Sequence, residues 1–211
     1  MAGRKIARAL LWCFLCLSVL VVPGCTGPPA PPLEELEAFR MDTYFRLAVS
    51  GLTGAQKEAV LREVTELDRL LDRFSPDSDI SRINAGAGQP VPVGDRTLDL
   101  LAQALDLAAE TGGAFDPTVG PLADLWQIGP AGAAGEEESW RPPDPAEVVR
   151  VLPLVDYRKL QLDPDRKVAQ LVQPGMGLDV GGIAKGYAVD RVAALLKGWG
   201  IENALIDFGG D

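Results

Sequence analysis

The chain has 211 residues, of which 30 are acidic, 20 are lysine or arginine and none is histidine, giving a formal net charge of −10. An acidic chain repels the phosphates of DNA and RNA, so nucleic acid is excluded as an expected partner. The lack of histidine removes the commonest general base and the commonest metal ligand from this chain.

Residues 1–24 have the pattern of a secretory signal peptide. A basic start precedes an apolar run over residues 9–22, which is too short to span a membrane comfortably as a mature helix. The basic residues are Arg4, Lys5 and Arg8. A small residue, Gly24, directly precedes Cys25 at the end of the run, as in a bacterial lipobox. We therefore expect cleavage before Cys25 and acylation of its thiol, with an ordinary secreted protein or an uncleaved anchor as alternatives.

Such a lipid would anchor the protein to the inner membrane of a bacterial cell envelope, facing the periplasm. Removal of residues 1–24 lowers Lys+Arg from 20 to 17 and leaves Asp+Glu at 30, so the net charge becomes −13. Direct attraction to anionic lipid is then disfavoured, and attachment depends on the acyl chains. Cys13 and Cys16 lie in the removed segment, so no thiol is left for catalysis or for binding a metal.

The rest of the chain divides into a proline-rich tether over residues 25–38 and one domain over residues 39–211. Residues 39–49 are typical of a strand, and residues 53–73 are predicted to form a helix with one apolar stripe. The remaining predicted elements are a short helix capped by Ser78 or Asp79, a helix over residues 95–111, an exposed loop over residues 129–145, a helix from the cap Asp144 to Val151, a hairpin of residues 159–162 and 167–171, a helix over residues 183–197 and a buried strand over residues 203–208.

This order of strands and helices predicts a mixed α+β fold in which helices cover the sheets. The chain ends at Gly209-Gly210-Asp211, directly after a predicted strand. Because a Gly-Gly turn normally leads into another element, we expect the sequence to be a fragment without its C-terminal part.

The most informative segment is Asp179-Val180-Gly181-Gly182-Ile183-Ala184-Lys185-Gly186, at the start of the helix over residues 183–197. A helix N-terminus presents backbone N–H groups and the positive end of the helix dipole, so it suits an anion. Lys185 adds a full positive charge. Asp179, expected at the end of a strand, could accept a hydrogen bond from a ring N–H or a ribose hydroxyl. The segment predicts a site for a phosphorylated ligand, although glycine-rich turns also serve packing alone.

A second segment, Gly113-Ala114-Phe115-Asp116-Pro117-Thr118, combines an aromatic ring with a carboxylate. Phe115 could stack on a planar ring and Asp116 could hold the polar edge of that ring. The pair Asp116-Pro117 also fits an ordinary helix N-cap followed by proline, which is the commoner arrangement. Met41 and Phe74, taken alone, fit packing in a core.

Taken together and in order, five segments resemble the ApbE family, the FAD:protein FMN transferases of bacterial envelopes. They are Met41-Asp42-Thr43, residues 74–81, residues 111–122, residues 179–190 and residues 205–211. In the first segment the family usually has Met-Gly-Thr. The resemblance implies an ApbE-like flavin transferase fold, FAD in a cleft and a divalent metal, usually Mg²⁺. It also implies transfer of the FMN half of FAD to a threonine or serine of a target protein, with release of AMP, and flavin-carrying subunits of membrane redox complexes as partners.

By motif position, the resemblance implies that Met41 packs on the flavin. Phe74 would supply a stacking surface where relatives often have tyrosine. The segment Ala114-Phe115-Asp116 would line the FAD pocket, and Asp179 and Lys185 would contact FAD.

The resemblance also implies that the backbone carbonyl of Gly182 is one metal ligand. In the family, the other metal ligands (an aspartate and a threonine) and a histidine that assists follow the Gly-Gly-Asp segment, so we expect them beyond Asp211. The catalytic residues are therefore unknown from this sequence, and we expect residues 1–211 alone to transfer little or no FMN. Two alternatives stay open: an FAD pyrophosphatase that gives FMN and AMP, and a non-catalytic flavin-binding lipoprotein.

Overall fold

The computed structural model describes residues 32–129 and 141–210, which contain six strands and six α-helices in an α+β arrangement. In chain order they are β1 (Leu33–Arg40), β2 (Thr43–Ser50), α1 (Gly54–Leu71), α2 (Asp79–Ala85), β3 (Val91–Pro92), α3 (Asp95–Glu110), α4 (Gly120–Leu125), α5 (Pro145–Val151), β4 (Leu160–Asp163), β5 (Val168–Leu171), α6 (Gly181–Gly198) and β6 (Ala204–Phe208). Two short 3₁₀ turns, Leu152–Leu154 and Tyr157–Lys159, join α5 to β4.

The first sheet has the order β1-β2-β6, and both of its strand pairs are antiparallel. Side chains alternate along β2, so that Phe45, Leu47 and Val49 are fully buried on one face. Phe45 lies opposite Phe208 of β6, with ring centroids 5.4 Å apart. The inner face of this sheet therefore forms one wall of the core.

Helices α1 and α6 pack on each other beside this sheet, α1 contacting β1 and α6 contacting β6. Thr53 caps α1: its hydroxyl accepts from the N–H of Gln56, and the Gln56 side chain accepts from the N–H of Thr53. The buried stripe of α1 has helical spacing and consists of Val60, Val64, Leu67, Leu70 and Leu71. The cap therefore fixes the start of α1, and the buried stripe holds the helix on the core up to its last residue, Leu71.

The second sheet is small and antiparallel, with the order β3-β5-β4. Helices α2 and α3 are joined to each other through Asp79, whose carboxylate accepts from the N–H of Gly94 (3.0 Å) and the hydroxyl of Thr97 (2.7 Å). Burial alone would raise the pKa of Asp79, but these hydrogen bonds and the neighbouring Arg82 lower it below its usual value. Asp79, which belongs to the motif segment 74–81, therefore stabilises the packing of α2 against the start of α3.

Most of the predicted elements are confirmed. The helices predicted over residues 53–73, 95–111 and 183–197 are present with small shifts at their ends, and the predicted hairpin is β4 and β5. Ser78 caps α2 by accepting from the N–H of Ser81, and Asp144 caps α5 by accepting from the N–H of Ala146.

Three predictions about strands were wrong. Residues 39–49 are not one strand, because Met41 and Asp42 adopt positive φ (51° and 58°) and reverse the chain between β1 and β2. Residues 33–38, assigned to the tether, belong to β1, since the ladder with β2 satisfies their backbone groups. The last strand was expected to be buried, yet β6 lies at a sheet edge and Leu205 is 69% exposed.

Some predictions fall on residues outside the described ranges. They include the signal peptide, residues 25–31 of the tether with Cys25 among them, and residues 130–140 of the predicted loop. Within residues 32–129 and 141–210, no helix combines the length and hydropathy needed to cross a bilayer.

Candidate functional site

Two adjoining clefts bring the residues of the sequence motifs together. The first, which we call the Phe74 cleft, has a volume of about 300 Å³ and is lined by Met41, Phe74, Asp179 and Lys185 among others. The second, the Phe115 cleft, has a volume of about 560 Å³ and is lined by Ala114, Phe115, Asp116, Asp179 and Gly182 among others. Asp179 and Ile128 line both clefts, which are therefore neighbours. Every site residue predicted within the described ranges lines one of them.

The turn between β1 and β2 places Met41 at the Phe74 cleft. The N–H of Met41 donates to Asp68 Oδ1 at 2.9 Å, which fastens the turn to α1. Met41 is partly buried and packs against the core. A thioether in this position offers a polarizable, apolar surface to a flat ring.

Phe74 follows the C-terminus of α1, where its N–H donates to Asp72 Oδ1 at 2.8 Å. The residue is 48% exposed, which is unusual for an aromatic residue that only packs in a core. A Cβ on Gly129 would lie 2.4 Å from Phe74 Cζ, so the ring touches the backbone at that glycine. One edge of the Phe74 ring therefore contacts the backbone at Gly129, and the rest of the residue is exposed in the cleft.

Arg73 lines the Phe74 cleft, although the sequence did not single it out. Its side chain is only 9% exposed. It donates to Asp179 Oδ2 at 3.0 Å and to Asp124 Oδ1, and its guanidinium carbon lies 4.8 Å from the centroid of the Phe74 ring. No periodicity or motif marks this residue, and its position beside Phe74 was the single available signal.

Asp179 organises the start of α6. Its Oδ1 accepts from the N–H of Gly181 at 2.9 Å, and its own N–H donates to the carbonyl of Pro117 at 2.9 Å. The expectation that Asp179 ends a strand was wrong, because the described residues directly before it belong to no strand and make one isolated parallel bridge, Val119 to Gly177. Because the Asp179 carboxylate already accepts a hydrogen bond from one N–H at the start of α6, a bound anion would have to share the N-terminus of the helix with this carboxylate.

Lys185 lies one turn into α6 and lines the Phe74 cleft. In the first turn of the same helix, Gly182 lies close to the Phe115 ring: a Cβ at that glycine would lie 3.4 Å from Phe115 Cε2. The lack of a side chain at Gly182 therefore allows the start of α6 to approach an aromatic ring closely.

Asp116 holds the Phe115 cleft together. Its Oδ1 accepts from the N–H and the hydroxyl of Thr118 (2.8 and 2.6 Å), and its Oδ2 accepts from the N–H of Tyr157 at 2.9 Å. The reading of Asp116 as a helix N-cap was wrong, since α4 begins only at Gly120 after the cap residue Val119. The segment is instead a turn fastened to the chain before β4.

The described residues do not form a complete metal site. Within residues 32–129 and 141–210, no three side chains among His, Cys, Asp and Glu cluster so that they could hold a metal ion. The Gly182 carbonyl would supply one oxygen, whereas Mg²⁺ prefers six in octahedral geometry. These residues alone do not fit a bound Mg²⁺.

This fold and these clefts define an α+β domain in which two adjoining clefts with aromatic residues in their lining lie beside a glycine-rich helix start. The sequence profile of the ApbE family matches residues 41–211, and the chain belongs to that family. An FAD:protein FMN transferase of Treponema pallidum is 37% identical to it over 96% of this chain and 56% of the relative. One from Klebsiella pneumoniae is 31% identical over 90% of this chain and 57% of the relative. The chain thus spans little more than half the length of these relatives.

Solved structures agree with the assignment. The flavinyl transferase ApbE of Pseudomonas stutzeri in its apo form superposes with a TM-score of 0.76 and 28% identity, covering 88% of this chain and 61% of the other. The ApbE protein of Thermotoga maritima gives a TM-score of 0.73 and 31% identity, covering 84% of this chain and 57% of the other. The predicted ApbE-like α+β fold is confirmed.

Proposed function

We propose that this protein is an FAD:protein FMN transferase. The hydroxyl oxygen of a threonine or serine in a target protein attacks the FMN-side phosphorus of FAD, the bond from that phosphorus to the bridging oxygen breaks, and AMP leaves. The hydroxyl proton passes to a base. The activity is named for relatives that this chain matches over about nine-tenths of its length.

One observation carries the proposal: the residues expected to contact FAD come from four distant sequence segments and line two adjoining clefts. Met41 and Phe74 supply apolar surface for a flat ring in the first cleft, and Phe115 supplies it in the second. Lys185 brings positive charge to the first cleft. A dinucleotide, with two ring systems joined by a diphosphate, matches this arrangement in chemistry.

A divalent cation, Mg²⁺ by its preference for oxygen ligands, belongs to the proposal as a requirement of the reaction. When bound, it would neutralise charge that develops on the diphosphate. Of the metal ligands that the family resemblance implies, the described residues include only the Gly182 carbonyl. We expect EDTA to abolish turnover and leave most of the FAD affinity, as measured by flavin fluorescence; turnover that survives EDTA would contradict the requirement.

A turnover assay separates the three candidate functions. The protein is incubated with FAD and Mg²⁺, with and without a threonine-containing acceptor domain from a flavin-carrying subunit of a membrane redox complex. Covalent flavin on the acceptor, with AMP in equal amount, supports the transferase. Free FMN and AMP without acceptor indicate a pyrophosphatase, and FAD binding without turnover indicates a flavin-binding lipoprotein. For residues 1–211 alone we expect little or no transfer, and robust transfer would contradict that expectation.

Lys185→Ala tests the expected contact with FAD. Loss of a charge-assisted hydrogen bond to phosphate costs about 1.5 to 3 kcal/mol, so we expect FAD affinity to fall roughly 10- to 100-fold. Lys197→Ala, in the exposed last turn of the same helix, is the matched control and keeps the affinity of the unaltered protein. If both variants bind FAD equally well, Lys185 does not contact the ligand.

We also propose that Cys25 is acylated and holds the protein on the periplasmic face of the inner membrane. The lipobox-like sequence before Cys25 supports this placement. Cys25→Ala is expected to move the protein from the membrane fraction to the soluble periplasmic fraction. Retention of the variant in the membrane fraction would indicate an uncleaved anchor instead.

A further inference from the structure

Arg73, whose side chain is 9% exposed, is a cation between two carboxylates that differ greatly in exposure. Asp179 is 21% exposed and is also held by the N–H of Gly181, whereas Asp124 on α4 is 70% exposed. Water solvates Asp124 well, so little is lost when that carboxylate releases the guanidinium. Asp179, by contrast, is part of the structure around the start of α6.

The charges in the Phe74 cleft show why such a release matters. Four aspartates line the cleft, and Arg73 and Lys185 are the two cations in its lining. The aspartates are Asp42, Asp68, Asp72 and Asp179. A ligand with two phosphate charges therefore meets a net negative lining, and a direct contact from a cation that turns from a protein carboxylate to the ligand would offset part of that repulsion.

We propose that Arg73 exchanges Asp124 for an anionic oxygen of the ligand's diphosphate, while it keeps its hydrogen bond to Asp179. The guanidinium has five N–H donors in a planar fork, so it can hold a carboxylate with one nitrogen and a phosphate with another. The stacking of Arg73 on Phe74 keeps the fork at the cleft through the exchange. This inference rests on the proposed function, since it names the residue that recognises the diphosphate of FAD.

The exchange makes two variants change affinity in opposite directions. Asp124→Asn removes the competing carboxylate, and we expect FAD to bind about 3- to 10-fold more tightly. Arg73→Gln removes the cation, and we expect FAD affinity to fall at least 10-fold, with partial recovery in Arg73→Lys. Riboflavin, which has a flavin ring and no phosphate, is expected to bind all three variants within about twofold of the unaltered protein.

Fluorescence titration of the full-length protein with FAD and with riboflavin measures these ratios. Glu66→Gln is the matched control, because it breaks an exposed ion pair with Arg69 outside both clefts. Unchanged or weaker FAD binding by Asp124→Asn overturns the proposal, and so does equal loss of FAD and riboflavin in Arg73→Gln, which would mark a purely structural arginine. If Arg73→Gln does not fold, Asp124→Asn still decides. Failure of the unaltered protein to bind FAD overturns the proposed function itself.

Discussion

At the residue scale, the turn between β1 and β2 contains two adjacent non-glycine residues with left-handed backbone. Met41 has φ 51° and Asp42 has φ 58°, the combination of a type I′ turn, in which Asn-Gly is the preferred pair. Side chains other than glycine are strained in this region, aspartate less than most. Because the turn lines the Phe74 cleft, the strain lies at the candidate site.

Asp42→Gly is expected to stabilise the protein by about 0.5 to 1 kcal/mol, since relief of strain exceeds the added entropy of the unfolded chain. Urea denaturation followed by circular dichroism measures the change. Asp77→Gly is the control: Asp77 lies in a turn without positive φ, so the same substitution there lowers stability. Equal effects at both positions would show that Asp42 is unstrained.

Single residues of the site were predictable only where they belong to a motif. Met41, Phe74, Asp179 and Lys185 could be chosen because their neighbours in sequence form recognisable segments, and all four line one cleft. Arg73 could not, because its importance comes from Asp124 and Asp179, which lie 51 and 106 residues away. Ion pairs between residues so far apart in the sequence cannot be predicted from the residues that neighbour either partner.

At the scale of elements, Glu63 joins three helices. Its carboxylate is almost fully buried on α1 and accepts from Arg96 of α3 (3.0 and 2.6 Å) and from Arg191 of α6 (3.0 Å). The hydrogen bonds from Arg96 lower the pKa of Glu63 below 4.5 and, with the one from Arg191, outweigh the opposing effect of burial. The ion pairs therefore stabilise the packing of α1, α3 and α6 while Glu63 is charged.

Glu63→Gln is expected to lower the free energy of unfolding by about 2 kcal/mol at pH 7. This is a small loss for a buried ion pair, because both arginines are part-exposed. A lowered pKa in the folded state stabilises the protein above pH 4.5, and this contribution is lost as the pH falls through the folded-state value. The difference between the variant and the unaltered protein should therefore shrink below pH 4.5. Urea titrations from pH 3 to pH 7 measure it.

Glu58→Gln, which affects an exposed pair with Arg62 on the same helix, is the control and should change stability by less than about 0.5 kcal/mol. If the loss of stability in Glu63→Gln stays constant down to pH 3, the ion pairs do not lower the pKa of Glu63.

Amphipathic spacing located α1, α3 and α6 to within a few residues, because each buries one stripe of side chains. Strands were harder to delimit. In β1, the exposed Glu35 and Glu37 alternate with Leu36 and Ala38, which are part-buried and pack on the core. Pairing with β2 outweighs the low strand preference of Glu. The turn at Met41-Asp42 was missed because it contains neither glycine nor asparagine, the usual signals of a tight turn.

At the scale of the whole molecule, a ligand that binds only the folded state raises its stability by mass action. At an FAD concentration 100 times the Kd, the gain is about 2.7 kcal/mol, which corresponds to roughly 5 to 10 °C in Tm for a domain of this size. Differential scanning fluorimetry by tryptophan emission measures the shift. Inorganic pyrophosphate at the same concentration is the control and should give a smaller shift, because it lacks both ring systems. An equal shift with pyrophosphate would indicate a simple anion site.

The two edges of the first sheet differ in how they meet solvent. β1 carries Glu34, Glu35 and Glu37, and such charges discourage pairing with another molecule. β6 has a single charge, Asp207, beside the exposed Leu205, and in the described residues no strand pairs with its outer edge. Purified samples of this chain should therefore self-associate through β6 as concentration rises. Leu205→Lys is a rational change for obtaining solutions suited to spectroscopy or crystallisation.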